Sequence, residues 1–388
     1  MCTFRRQGMK KKALICTALV GFVKGFLLND VHTLQSLGYE VHCAANDRYE
    51  SADFLAENDV VFHPVEFSSK KPLSRETWNS FQTIKRLLAE EHFDVLHVHT
   101  PIPGVVCRVA AQKYRKSGMK VIYTTHGFYF HSGSGRKTWL VYHTIEDAMS
   151  RLSDAIITIN REDYSAAQKM HSGSVFYIPG VGVDLEKYSS AEGDRCRLRE
   201  SLGIGPEDFC ILSIGELSRR KNQIVVAKAL AQCNVPNAVL LLCGRELEES
   251  GCKRELEEYC AENHVRVIFA GFRNDIPQVC KAADIGTISS TREGLGLSGI
   301  EMLAAGLPVV GSRTHGIVDY IQDGVNGFLA DPNRPEEFAG AIEKLWPEAT
   351  REAFSSGCLE SVREFDISRS RKKMAEIYSQ LLSAEKET

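Results

Sequence analysis

The chain has 388 residues, of which 43% are hydrophobic and 25% charged, and a formal net charge of −3. That length favours two or three domains of ordinary size, and the composition excludes a disordered polypeptide. No apolar run approaches the roughly 20 residues of a membrane-spanning helix. The twelve scattered cysteines form no C-x-x-C pair, which argues for reduced, buried thiols over a disulfide framework or a zinc site.

The opening MCTFRRQGMKKKALICTALVGF mimics a secretion signal, but Lys24-Gly25-Phe26 follows where a small-residue cleavage site belongs. The run ICTALVGFV therefore reads as a first buried strand and its loop, with either Met1 or Met9 as the start. β-Branched, apolar segments then recur with helical stretches between them, the pattern of a parallel α/β sheet. In the first half they are ALICTAL, YEVHCAAN, VVFHPVEF, FDVLHVHT, KVIYTTH, AIITIN and VFYIPG. Among the intervening helices, RETWNSFQTIKRLLAEE puts Trp78, Phe81, Ile84, Leu87 and Leu88 on one face. A polar stretch, VDLEKYSSAEGDRCRLRESLGIGPED, reads as a connector with a short helix. A second set of strands follows: FCILSIG, AVLLLCG, VRVIFAGF, DIGTISS, LPVVGS and NGFLAD. In the terminal helix, Met374, Ile377, Tyr378 and Leu381 fall at helical spacing.

The expected architecture is two doubly wound, Rossmann-like domains with ligands at the carboxyl ends of their strands. The boundaries are 1–184, a connector at 185–206, a second domain at 207–365, and a helix at 366–388 free to pack back on the first domain. The first 180 residues carry 22 Lys and Arg against 17 Asp and Glu, and the remainder 25 against 33. A mildly basic first half suits an anionic partner such as a phospholipid surface or a diphosphate, although ordinary surface variation gives the same numbers.

Within DIGTISSTREGLGLSGIEMLAA lies GLGLSG, a literal G-x-G-x-x-G, with Ser312-Arg313-Thr314 near where an NADP enzyme reads its 2′-phosphate. The context disagrees. Ser290-Thr291-Arg292-Glu293 separates the glycines from the strand, and Glu293 sets a negative charge where a diphosphate would approach. The stretch offers instead two carboxylates eight residues apart, Glu293 in a loop and Glu301 in a helix, with close-approach backbone at Gly294, Leu295, Gly296 and Leu297 between them. A carboxylate facing a diol accepts a hydrogen bond from each hydroxyl, and a helix start at Gly296-Leu297-Ser298 supplies amides for a phosphate. SIGELSRRKN ends in Arg219, Arg220 and Lys221, cations suited to a departing diphosphate. No D-x-D occurs, so no metal clamp is expected. His126 ends the segment KVIYTTH and opens the aromatic, glycine-rich GFYFHSGSG.

EGLGLSGIE, continued by MLAAGLPVVGSRTHGIVDYIQDGVNGFLADPNRPEEFAGAI, resembles the E-x₇-E region of retaining glycosyltransferases of family 4, which have the GT-B fold. The resemblance spans nearly the whole chain. It implies two Rossmann-like domains facing a central cleft, with Glu301 on the ribose and Glu293 on the donor sugar. Lys221 matches the family's lysine, but Glu216 occupies the position of its arginine, so Arg219 or Arg220 is expected to substitute. Gly244 becomes a phosphate-side turn, and the backbone at Phe272 and Arg273 reads the base. His126 lies near the anomeric carbon, Asp184 marks the hinge, and Gly25, Phe26 and Phe128 lie on the acceptor side. The implied activity is metal- and cofactor-independent transfer from a nucleoside-diphosphate sugar, with UDP favoured. The implied acceptor is a saccharide, free or polyprenyl-diphosphate-linked, in surface-polysaccharide assembly at the cytoplasmic face of a membrane, without nucleic acid. Membrane contact is assigned to VVCRVAAQKYRKSGMK, with Arg108, Lys113, Arg115, Lys116 and Lys120, and to exposed aromatics of GFYF. A phosphorylase or epimerase on the same fold, an NADP oxidoreductase, and a non-catalytic partner subunit are the alternatives.

Overall fold

The computed structural model describes residues 10–67, 74–246 and 250–383; both candidate start methionines lie outside them. The chain divides into two compact units, one of 1–181 with 368–388 and one of 182–367.

The first unit is built on a seven-stranded parallel sheet: β1 (Lys11–Leu19), β2 (Tyr39–Asn46), β3 (Val60–Pro64), β4 (Val95–His99), β5 (Lys120–Thr125), β6 (Ala155–Thr158) and β7 (Ser174–Tyr177). The spatial order is β3-β2-β1-β4-β5-β6-β7. Ala13 to Thr17 of β1 are wholly buried, as a central parallel strand covered on both faces must be, which is why its sequence runs apolar without alternation. Leu14, Leu96, Val98, Val121 and Ile156 join Ile84, Leu87 and Leu88 of the helix Arg75–Glu91 in the core. That helix starts where Ser74 accepts a hydrogen bond from the Thr77 amide at 3.2 Å and stops at His92 in the left-handed region. Trp78, expected on its buried face, is 60% exposed; its ring covers Phe81 from outside.

The helix Ile367–Ser383 closes this unit from Ser368 onward. Met374, Ile377 and Tyr378 are buried. The Tyr378 hydroxyl hydrogen-bonds His97 Nδ1 at 2.6 Å, and the Arg371 guanidinium donates to Asn29.

The second unit carries a six-stranded parallel sheet: β8 (Phe209–Ile214), β9 (Ala238–Cys243), β10 (Arg266–Gly271), β11 (Ile285–Ile288), β12 (Val309–Ser312) and β13 (Gly327–Ala330), in the order β10-β9-β8-β11-β12-β13. Its core gathers Ile211, Leu240, Leu242, Val226, Val310, Phe338 and Ile342. The polar stretch read as a connector is anchored to this unit. Its helices are Leu185–Ser189, capped by the Asp184 carboxylate, and Arg195–Ser201, whose Arg195 and Arg199 both pair with Asp284.

In each sheet the chain reverses its direction of travel between the first strand and the fourth: between β1 and β4, and between β8 and β11. Loops diverge at such a switch point and leave a crevice at the carboxyl ends of the strands. The residues singled out above follow these strands.

Candidate functional site

In the second unit the loop after β8 and the loop after β11 meet. The Thr291 amide donates to the Arg220 carbonyl at 2.9 Å, and Ser289 Oγ donates to the Lys221 carbonyl at 2.9 Å. Asn222, left-handed at φ 54°, donates its side-chain amide to Pro332. These bonds bring Lys221 Nζ and an Arg220 guanidinium nitrogen each to 2.9 Å from one oxygen of Glu293, Oε2, and Ser290 Oγ to 3.0 Å from it. No hydrogen bond among the described residues falls on the other oxygen, Oε1. Burial pushes the Glu293 carboxyl up, but Lys221 and Arg220 outweigh it and hold the group below the usual carboxylate range. Glu293 is therefore ionised at neutral pH, with one oxygen free to accept.

Of the two candidate arginines, Arg220 joins the cluster. It also binds Glu216 at 2.9 Å, so that glutamate helps to orient its guanidinium. Arg219 does not: its side chain is 77% exposed and points to Glu255 at 3.5 Å. Successive residues of this turn project differently, which sets the two apart.

Glu301 lies on the helix Leu297–Ala304, half-buried. Burial raises its carboxyl, against a hydrogen bond from the Tyr188 hydroxyl. The glycines before it answer to packing. Gly296 is left-handed at φ 79° and its carbonyl accepts from the Tyr320 hydroxyl at 3.1 Å, while a Cβ on Gly299 would strike the Tyr320 ring. Leu295 is buried. Gly296 and Gly299 thus seat a buried tyrosine. They also follow the fourth strand of the unit, where a dinucleotide loop follows the first, so G-x-G-x-x-G here is not a dinucleotide fingerprint.

Gly244 leaves β9 with its amide on the Gly271 carbonyl at 2.8 Å, and a Cβ there would overlap the Gly215 carbonyl. Phe272 is 61% exposed with the Arg245 guanidinium over its ring, and Arg273 is held by Asp275. Both follow β10, at the same edge of the sheet.

In the first unit, β1 passes into a helical turn Val20–Phe22, a π-turn Val23–Leu27 and the helix Leu28–Ser36. Gly25 has open space beside it, and the Phe26 ring, partly exposed, leans on Phe22 with centroids 4.8 Å apart. A cavity of about 310 Å³ opens here at the carboxyl ends of β1, β2 and β4, lined by Leu19, Phe22, Phe26, Tyr49, Glu50 and Thr100. Lys24 Nζ sits 2.7 Å from Glu50 at its edge.

His126 follows β5. Its ring stands edge-on to Phe22 at 4.8 Å, and its Nε2 lies 3.1 Å from His99 Nδ1. Behind it, His97 uses both ring nitrogens, on Tyr378 and on Thr124. His99 Nε2 is buried without a partner. Burial pushes His126 down to about 4 and His97 down to about 3, with His99 well below the ordinary value. All three are neutral at pH 7, so one nitrogen of the His99–His126 contact carries a hydrogen and the other accepts it. Asp30 brings an oxygen within 4.8 Å of ligand atoms of His97 and His99, but the two hydrogen bonds on His97 leave it no lone pair aimed at a metal.

Three expectations need correction. Phe128 and Phe130 are 2% and 3% exposed and stack on each other at 4.7 Å, so neither reaches an acceptor, and of GFYF only Tyr129 is well exposed. Their burial follows from the Phe128 amide, which Asp163 accepts at 3.0 Å, drawing the loop inward. Arg108 is wholly buried over the Tyr123 ring and paired with Glu146 at 2.9 Å. Arg115 is tied to Asp154 at 3.0 Å. The segment read as a basic surface helix is thus partly a buried ion-pair frame. Sequence reasoning also missed Ser290, although its partner Glu293 is close in sequence, and Tyr188 and Tyr320, whose partners Glu301 and Gly296 lie far along the chain and leave no local signal.

Comparison with known proteins bears on both units. Residues 194–356 match the family described as glycosyl transferases group 1, and residues 26–187 match glycosyltransferase family 4. The chain is 34% identical over 378 residues to a putative glycosyltransferase, EpsD, of Bacillus subtilis (strain 168), covering 96% of this chain and 97% of that one. It is 25% identical over 372 residues to the UDP-Gal:alpha-D-GlcNAc-diphosphoundecaprenol alpha-1,3-galactosyltransferase of Escherichia coli, covering 93% and 94%. Among solved structures, Anabaena Alr3699/HepE in complex with UDP and glucose superposes with a TM-score of 0.78 at 22% identity, over 95% of this chain and 100% of that one. Two parallel-sheet Rossmann-like units with these likenesses make the fold GT-B, and the chain is a transferase that belongs to the family 4 glycosyltransferases.

Proposed function

We propose that this transferase moves a sugar from a UDP-sugar to a hydroxyl of a lipid-linked saccharide, with retention of anomeric configuration, at the cytoplasmic face of a membrane and in surface-glycan assembly. The observation that carries it is the meeting of Lys221, Arg220 and Glu293 at the switch point of the second unit. The bond from the anomeric carbon to the diphosphate oxygen breaks as the acceptor oxygen bonds to that carbon on the same face. The diphosphate gains negative charge as it leaves, and Lys221 and Arg220 neutralise it without an intervening metal. The departing oxygen takes the acceptor's proton, so no protein nucleophile is required.

Glu293 presents Oε1 to hydroxyls of the donor sugar, and Glu301 accepts from the ribose diol. His126, neutral and fixed through His99, hydrogen-bonds the transferred sugar, and the cavity beside Phe26 takes the acceptor saccharide. The UDP preference and the lipid-linked acceptor rest on the galactosyltransferase relative, whose name specifies both, and the UDP-bound structural neighbour is in keeping with the first. Retention rests on the family.

Calorimetric titration with UDP, GDP, ADP and NADP in EDTA, for the native chain and Glu301→Ala, tests this. UDP should bind without added metal, and the variant should bind it about 10- to 100-fold more weakly, as for a lost charge-assisted hydrogen bond. Equal affinity would remove Glu301 from the ribose, and a strict metal requirement would sink the cation argument.

A further inference from the structure

The helix Arg136–Ser150 is fastened at one end only. Its second half is held by Glu146, buried against Arg108, and by Ser150, whose hydroxyl accepts from the His171 amide at 3.0 Å. Its first half stands in solvent, although its sequence is apolar. Leu140 is 62% exposed, Val141 54%, and Trp139, Tyr142 and Ile145 are each about two-fifths exposed. Tyr129 stacks on Tyr142 at 4.9 Å and continues the patch onto the preceding loop. Five large apolar side chains exposed within seven residues of one helix mark an interaction surface, since isolated exposed hydrophobics are scattered singly.

We propose that this surface docks the enzyme onto an anionic phospholipid bilayer, a reading that rests on the lipid-linked acceptor proposed above. The charge pattern selects that occupant. Arg136 and Lys137 open the helix, both exposed, and no Asp or Glu occurs from Ser132 through Ile145. Tryptophan and tyrosine beside aliphatic residues, with cations at one end, are the side chains of a helix lying in the headgroup region. The helix has 15 residues, and no helix among the described residues is long and apolar enough to cross a membrane, so it lies on the surface. A second copy of the chain is the alternative occupant that the test below separates. The basic excess of the first 180 residues has the sign that an anionic surface attracts.

Co-sedimentation of the full chain with vesicles of phosphatidylglycerol and phosphatidylcholine, against phosphatidylcholine alone, is the test. The native protein should pellet with the anionic vesicles only. Leu140→Ser with Val141→Ser should cut the bound fraction at least fivefold, and Arg136→Ser with Lys137→Ser should remove its dependence on lipid charge. Both pairs are exposed, so thermal unfolding should stay native, and turnover of a short-chain, water-soluble acceptor should be unchanged. Equal sedimentation of variants and native protein overturns the proposal. So does a native chain that ignores vesicles but dimerises in light scattering through Leu140 and Val141. Vesicle binding lost in the variants of a protein inactive on every saccharide acceptor would leave the docking surface standing and overturn only the acceptor reading.

Discussion

The two units share a strand order around their switch points, yet fill them with opposite chemistry. After β8 and β11 stand two cations and a carboxylate whose charges are locked together through Glu293 Oε2. After β1, β4 and β5 stand phenylalanines and histidines that burial keeps neutral. A diphosphate needs fixed charge to leave, whereas a saccharide needs apolar ring faces and uncharged hydrogen-bond partners. One scaffold, used twice, carries both linings because the crevice belongs to the topology and its lining to the loops.

The contrast breaks most visibly at Lys221. Lys221→Met should lower kcat by about 10²- to 10³-fold, the cost of removing a preorganised electrostatic group. Steady-state kinetics with a UDP-sugar would show it, and a loss confined to KM would mean that Lys221 binds the ground state alone. His126→Ala should be milder, roughly tenfold in kcat for one neutral hydrogen bond, with UDP affinity intact. Weakened UDP binding in that variant would put charge recognition on the histidine side and blur the contrast.

A separate effect is on stability with pH. His97 and His126 sit at about 3 and about 4 when folded, and His99 well below normal, against 6.5 in an unfolded chain. The unfolded state therefore binds more protons as pH falls from about 6.5 toward 4, and the fold loses stability across that window. Asp30 opposes this. Burial pushes its carboxyl up to about 7 from 3.8, so its protonation over the same range favours the folded state. Three rings outweigh one carboxyl, and Asp30→Asn should steepen the loss in thermal unfolding from pH 7 to 4. An unfolding midpoint flat with pH would mean that the rings are hydrated.

The strands were legible because parallel strands covered on both faces read as apolar runs with punctuation between them. The bounds of Arg75–Glu91 were equally plain from its periodicity. Burial was legible along most of that period, Trp78 excepted, and illegible where a distant charge governed it. Nothing near Arg108 announces that Glu146, thirty-eight residues on, draws it into the core, or that Asp163 pulls Phe128 inward. Choosing Arg220 over Arg219 likewise depended on the loop after β11, which the sequence around residue 220 does not contain.

The first unit is assembled from both ends of the chain, and this sets an order on synthesis. Residues 182–367 are synthesised between the first sheet and Tyr378, so that sheet is made complete yet lacks its last helix until the second unit has been made. Until that helix arrives, His97 has no hydroxyl at Nδ1 and the side of β4 that Tyr378 covers stands open. The first unit is begun first and finished last.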